Sequence, residues 1–202
     1  MDDLKAIPND AAIFKASNLE VIDVNGVKVQ LGSLFADEKT IVVLIRHFFC
    51  GSCQQYVTQL ASVSPEALAA AHTRIVVIGC GDYEPIKGYL ELTGYQGSIY
   101  ADPSRSVYRA LDVTIESLAR PPAGEQKKSY MQLGFFTNLV KSTWNGPLKN
   151  PGFVGKQGNF SQLGADFVLG PGNSCIFASR MRHSEDHTEI SELMQAAGVA
   201  YP

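Results

Sequence analysis

The chain has 202 residues, 45% of them hydrophobic, enough to bury a core in one domain or in one domain with an insertion. Its 17 basic and 20 acidic residues leave a net charge of −3, which argues against nucleic acid as a main partner. No apolar run reaches the length of a membrane span and the start, MDDLKAIPND, is too polar for a signal peptide; four cysteines without an export signal then read as a cytoplasmic protein kept mostly reduced.

In chain order, residues 1–12 read as a short helix or a loose arm. Asn25-Gly26, flanked by apolar alternation over 21–24 and 27–30, signals an N-terminal hairpin at about 19–31. Residues 31–35 form a turn or short helix. The β-branched run 41–45 has the composition of a strand buried on both faces, and 54–60 holds good helix formers with no breaker. Ser64 and Pro65 mark a helix start, as cap and first helical position. A second buried strand covers 74–79, a helix 84–92 stops at Gly94, a short strand covers 98–101, and a short helix over 104–111 follows Asp102-Pro103. This alternation implies a parallel α/β core with right-handed crossovers, whose sites gather at the carboxyl ends of the strands.

From 114 to 163 the alternation fails, in a stretch holding Pro121-Pro122, Lys127-Lys128, Trp144 and Asn145-Gly146-Pro147. Met131, Phe135 and Leu139 recur at four-residue spacing and suggest a helix around 129–141. An insertion of this length reads as a lid, an interface or a loop, with Trp144 packing it onto the core. The chain then returns to strands at 166–169 and 175–179, joined by Gly170-Pro171-Gly172-Asn173. It ends in a helix over 189–197, stopped by Gly198.

The chemistry concentrates at Cys50-Gly51-Ser52-Cys53, between the first buried strand and the helix after it. A helix start leaves amide groups unpaired and partly positive, which favours a thiolate there. Two cysteines at this spacing also bring their Cα atoms inside the roughly 4.4–6.8 Å window of a disulfide. The pair could instead be half of a zinc site or two inert core thiols. Zinc wants four ligands, however, and Cys80 and Cys175 stand alone. A redox pair fits best, with no metal and no bound cofactor.

These blocks together resemble the peroxiredoxin-like 2 family, the AhpC/TSA antioxidant-domain proteins. The resemblance rests on Val43-Leu44-Ile45-Arg46-His47-Phe48-Phe49-Cys50-Gly51-Ser52-Cys53, on Ile75-Val76-Val77-Ile78-Gly79 and on Leu92-Thr93-Gly94-Tyr95. It continues through Ile99-Tyr100-Ala101-Asp102-Pro103, Leu169-Gly170-Pro171-Gly172-Asn173 and Asp186-His187. It implies a single α/β domain over 1–202 with a thioredoxin-like fold and peroxiredoxin-type additions: a central mixed sheet flanked by helices, with the insertion at about 114–163. It further implies a thiol-dependent enzyme that reduces peroxide or disulfide bonds through Cys50 and Cys53. Electrons come from an external thiol reductant such as thioredoxin or glutathione, and the arrangement is compatible with a homodimer. Reduction of a lipid endoperoxide, an activity of a related branch, and a non-catalytic redox sensor or interaction module are the alternatives.

The chain departs from the usual peroxiredoxin motif Pro-x-x-x-Thr-x-x-Cys. Laid on this sequence, the motif puts Cys53 at the attacking position, Cys50 at the threonine and Arg46 at the proline. The thioredoxin analogy makes Cys50 the attacking thiol, and access at the helix tip favours Cys50. The proline that commonly precedes the thioredoxin hairpin strand is replaced by Gln162-Leu163-Gly164-Ala165.

Arg46, four residues before Cys50, is placed to stabilise a thiolate or orient a peroxide oxygen, or else to pack its stem along the sheet. His47 lies on the opposite face by period-two alternation, so one of the two reaches the site rather than both. Cys80 ends on the same rim and reads as a small core residue sooner than a third reactive thiol. Arg180, Arg182, His183, Asp186 and His187 follow the last strand. A solvated turn with a structural Asp–His pair suits them better than a proton donor.

Overall fold

In the computed structural model, which describes residues 4–132 and 151–202, the run around Val43 becomes strand β3 (Lys39–Ile45). Its neighbours are β1 (Glu20–Ile22), β2 (Lys28–Gln30), β4 (Thr73–Gly79), β5 (Ser98–Ala101), β6 (Ala165–Leu169) and β7 (Cys175–Arg180). These strands form one sheet in the order β2-β1-β5-β4-β3-β6-β7. Only β3, β4 and β5 run parallel; β6 pairs antiparallel with β3, β7 with β6, and β1 with β5 and β2. The parallel core expected from the alternation is therefore the middle of a mixed sheet.

The alternation of side chains along β3 explains why its residues 41–45 are all apolar. Ile41, Val43 and Ile45 pack with α2 (Gly51–Leu60), α4 (Ile86–Thr93) and α6 (Ile190–Ala197) on one face. Val42 and Leu44 pack with α1 (Asp10–Ser17) and α5 (Ser106–Ala110) on the other. Both faces are covered, so no polar position survives over residues 41–45. The short α3 (Pro65–Ala70) begins as expected, with the Ser64 hydroxyl accepting from Ala67 N at 3.2 Å. Gly94 and Gly198 end α4 and α6 in the left-handed conformation.

Three local expectations change. The N-terminal helix lies at Asp10–Ser17 rather than within 1–12, because Asn9 caps it by accepting from Ala12 N at 2.9 Å. The hairpin loop is longer than a two-residue turn. Asp23 Oδ1 accepts from both Asn25 N and Val27 N at 2.8 Å, which holds a turn with Gly26 at φ +81°. Ser129 and Tyr130 form a turn, not the first residues of a helix, while the rest of the expected helix and Trp144 lie outside the described residues. Among the described residues, no helix is long and apolar enough to cross a membrane.

Candidate active site

The site is built at the junction of β3 and α2. Strand pairing stops at Ile45, and residues 46–50 turn directly into the helix. Cys50 is the N-cap: its sulfur accepts from Cys53 N at 3.5 Å, the role an aspartate or serine oxygen usually fills. Within α2 the buried residues are Cys53, Tyr56, Val57 and Leu60, the i, i+3, i+4, i+7 stripe of an amphipathic helix. That stripe turns Cys53 toward the sheet and leaves Cys50 at the tip. Cys50 is nevertheless 4% exposed and Cys53 0%, so the open access expected for the first cysteine gives way to a narrow one. Both thiols are free and joined by a hydrogen bond.

Arg46 organises both sulfurs. Its Nη1 donates to Cys50 Sγ at 3.4 Å, and its backbone N donates to Cys53 Sγ at 3.4 Å. Its Nη2 donates to Phe160 O at 2.7 Å, tying the 151–163 segment to the site. The hydrogen bond from the Cys53 thiol, then the charge of Arg46, hold Cys50 well below the usual thiol range despite its burial. Burial first, then the hydrogen bond to Cys50, push Cys53 well above that range. The two thiols are thus pushed in opposite directions, Cys50 toward the thiolate and Cys53 toward the thiol.

His47 also faces this environment, against the expectation that only one of the pair would. Strand alternation ends at Ile45, so it no longer dictates where His47 points. Burial lowers the His47 pKa to about 4, making the ring neutral at pH 7, and its edge meets Phe160 with centroids 4.7 Å apart. Three buried polar atoms around the dithiol have no hydrogen-bond partner among the described residues: Arg46 Nε, His47 Nδ1 and the Tyr89 hydroxyl. Cys80 is a core thiol. It donates to Arg46 O at 2.8 Å, and burial pushes its pKa up to about 11.

The turn after β7 is only partly solvated: Arg182 is exposed, but His183, Asp186 and His187 are buried. His187 is 1% exposed, with Nε2 at 3.8 Å from Cys53 Sγ and Nδ1 at 3.0 Å from Asp166 Oδ1. Its carboxylate partner is Asp166 of β6, not the adjacent Asp186. Asp186 instead accepts from Arg182 Nε at 2.7 Å and Nη2 at 2.8 Å. Glu125, His183 and Asp186 bring ligand atoms within 4.8 Å of one another, but Arg182 also reaches Glu125 at 2.7 Å. That guanidinium makes the cluster an ion-pair network rather than a metal centre. Asp166, Tyr56 and Tyr89 were not singled out in the sequence. The available signal was an aspartate inside the apolar run Ala165-Asp166-Phe167-Val168-Leu169.

A mixed sheet whose central strand feeds a Cys-x-x-Cys helix defines a thioredoxin-like fold of the peroxiredoxin kind. Peroxiredoxin Q from Xanthomonas campestris superimposes with a TM-score of 0.57 at 15% identity, over 98% of this chain and 94% of that one. The chain belongs to the AhpC/TSA antioxidant family, in its peroxiredoxin-like 2 group: the model described as AhpC/TSA antioxidant enzyme matches residues 59–183. Peroxiredoxin-like 2C of Homo sapiens is 34% identical over 92% of this chain and 80% of its own length. A prostamide/prostaglandin F synthase of Xenopus tropicalis is 23% identical over 87% of this chain and 82% of its own length. Membership of this family supports a thiol redox, antioxidant role. The family-model match begins after Cys53, so the role of the dithiol rests on the site's geometry.

Proposed function

We propose that the protein reduces peroxides with Cys50 as the attacking thiol and Cys53 as the resolving one. The observation that carries this is the set of donors on one sulfur: the Arg46 guanidinium, the Cys53 amide and the Cys53 thiol all stabilise a Cys50 thiolate. The thiolate attacks one peroxide oxygen, the O–O bond breaks, and the leaving alkoxide or hydroxide takes up a proton. Cys50 becomes a sulfenic acid. Cys53 then attacks that sulfur, an S–S bond forms, and water departs. Two electrons from an external thiol, of the thioredoxin or glutathione type, reopen the disulfide. The reaction calls for no metal and no bound cofactor. A reducing compartment such as the cytoplasm would keep the pair open between turnovers.

The 4% exposure of Cys50 favours a small peroxide over a folded protein disulfide, and Arg46 Nε, His47 Nδ1 and the Tyr89 hydroxyl, without a partner among the described residues, suit small polar oxygens. A lipid endoperoxide is the second reading. It is favoured by the relative named as a prostamide/prostaglandin F synthase, and by the half-exposed Phe160, an apolar surface against His47.

The test is a brief peroxide pulse on Cys50→Ser and Cys53→Ser, read by mass spectrometry, beside turnover of the intact protein with a thiol reductant. Cys53→Ser should trap a sulfenic acid at Cys50, and Cys50→Ser should be nearly inert. Oxidation retained only in Cys50→Ser would reverse the assignment. Single-turnover oxidation without repeated turnover would make the protein a redox sensor. Faster turnover of an endoperoxide than of hydrogen peroxide would select the lipid reading.

A further inference from the structure

Resolution of a sulfenic acid requires Cys53 to lose a proton that burial makes hard to remove. Cys53 is fully buried on the sheet side of α2, where no solvent base reaches it. The element facing it there is the segment after β7, which brings His187 Nε2 to 3.8 Å from the sulfur. Behind His187 stands Asp166, 0% exposed, whose two oxygens are both engaged. Oδ1 meets His187 Nδ1 at 3.0 Å, and Oδ2 accepts from Thr188 N at 2.8 Å. In the tautomer with its proton on Nδ1, His187 donates to Asp166 Oδ1. Nε2 then presents its lone pair to Cys53.

The ring is fixed in plane as well. Tyr56 stacks on it with centroids 4.3 Å apart and planes within 9° of parallel. Gly164 makes room for it, because a Cβ there would lie 2.2 Å from Leu44 O and 3.1 Å from His187 Cε1. A buried thiol, an imidazole and a carboxylate in sequence have the order of a nucleophile, its base and the group that orients the base.

We infer that His187 is the general base for Cys53 and that Asp166 positions it, forming a relay that works on the resolving thiol rather than the attacking one. This rests on the reading of Cys50 as the attacking thiol. In the reduced state the Cys50 sulfur, held as a thiolate, is the anionic acceptor beside Cys53. Once Cys50 is a sulfenic acid, that anionic acceptor is gone. The Cys53 proton then passes to His187 Nε2, giving an imidazolium that Asp166 stabilises. The Cys53 thiolate, still held by the Arg46 amide, attacks the Cys50 sulfur. The S–S bond forms, the S–O bond breaks, and the hydroxide leaves as water with the proton returned by His187. Oxidation of the first thiol is thereby what hands the second thiol to its base.

The ionisable groups around this relay are few. Cys50 and Tyr56 come from α2, Arg46 from the end of β3 and Asp166 from β6. Tyr89 of α4 and Tyr130 also face it, and burial raises both so that they stay neutral; His47, neutral at pH 7, lies beside Cys50. Arg46, Asp166 and Cys50 carry the charges beside it, and Glu189 and Asp186 act on its flanking Tyr56 and Tyr130.

The experiment separates the two steps of one turnover in the full chain. After a peroxide pulse, sulfenic acid at Cys50 is trapped with a dione reagent and disulfide closure is followed by mass. In His187→Asn, Cys50 should oxidise within about threefold of the wild-type rate. Closure should slow by about a hundredfold or more, the usual contribution of a general base, so the sulfenic acid accumulates. Asp166→Asn can still accept from Thr188 N, and it tests positioning through the pH profile. Without an oriented base, closure must wait for Cys53 to ionise unaided, so its rate should rise steeply with pH where the wild type is nearly flat.

Closure at the wild-type rate and with the wild-type pH profile in both variants would overturn the relay while leaving the proposed function standing. Failure of wild-type Cys50 to oxidise at all would instead remove the reading beneath it. If His187→Asn does not fold, as judged by thermal melting, the Asp166→Asn profile decides.

Discussion

Arg46→Met tests whether the site is electrically prepared, since methionine keeps the apolar stem and removes the guanidinium. The side chain donates to Cys50 Sγ at 3.4 Å from a position only 6% exposed, so solvent does little to screen the pair. A hydrogen bond to a charged group is worth about 1.5–3 kcal/mol. At about 1.4 kcal/mol per factor of ten, losing it shifts the Cys50 thiol–thiolate balance roughly ten- to hundredfold toward the thiol. The sign follows from the charge: Arg46 stabilises the thiolate, so its removal raises the pH at which Cys50 ionises. Alkylation of Cys50 by iodoacetamide, followed by peptide mass from pH 4 to 9, should therefore slow by that factor at the acid end. The gap should close as pH rises and both thiols become ionised. Arg46→Lys should fall between, because one ammonium cannot hold both Cys50 Sγ and Phe160 O in the arginine fork. Superimposable pH profiles for wild type and Arg46→Met would refute the reasoning.

Acid stability should depend on His47. Its pKa is lowered to about 4 from 6.5, chiefly by burial, so the neutral ring favours the folded state above pH 6.5 and this contribution is lost as pH falls toward 4. At pH 4.5 the loss is about 2.5 kcal/mol. Urea titrations should show His47→Gln losing less stability than wild type between pH 7 and 4.5 by about that amount, and equal losses would contradict it. Cys80→Ala should leave peroxide turnover within about twofold while lowering stability by about 1 kcal/mol, the worth of its hydrogen bond to Arg46 O. A large fall in turnover without a fall in stability would make Cys80 a working thiol.

The residues that could be read from sequence are those whose position follows from local periodicity. The β3 run, the Ser64-Pro65 helix start and the Gly94 and Gly198 stops each carry their signal within a few residues, and each appears where expected. The placement of Cys50 and Cys53 at a strand–helix junction was legible for the same reason. What sequence could not carry was the return of the chain. Asp166 and His187 are 21 residues apart and meet only because β6 lies beside β3 and β7 runs back antiparallel to the same rim. His183 and His187 looked alike as polar residues after the last strand. One ended beside Glu125 and the other beside Cys53, and that difference is tertiary. His47 was misplaced because a rule for strands was carried two residues past the end of one.

The position of β3 within the sheet sets how the four thiols meet the outside world over time. It is flanked on both sides, by β4 and β6, whereas β7 forms an edge. Strands at the middle of a sheet open only with the whole molecule, while edges fray at much lower cost. Cys50 and Cys53 sit at the junction that follows β3, and Cys80 follows the end of β4, so a bulky reagent reaches them more slowly than it reaches an edge strand. Cys175 begins the edge strand and is partly exposed already. Hydrogen exchange should therefore place the dithiol in the slowest-opening part of the protein and Cys175 in a faster one. Large electrophiles would mark Cys175 first, whereas small oxidants would find Cys50. The sheet thus acts as a kinetic sieve, sorting reagents by size before any chemistry begins.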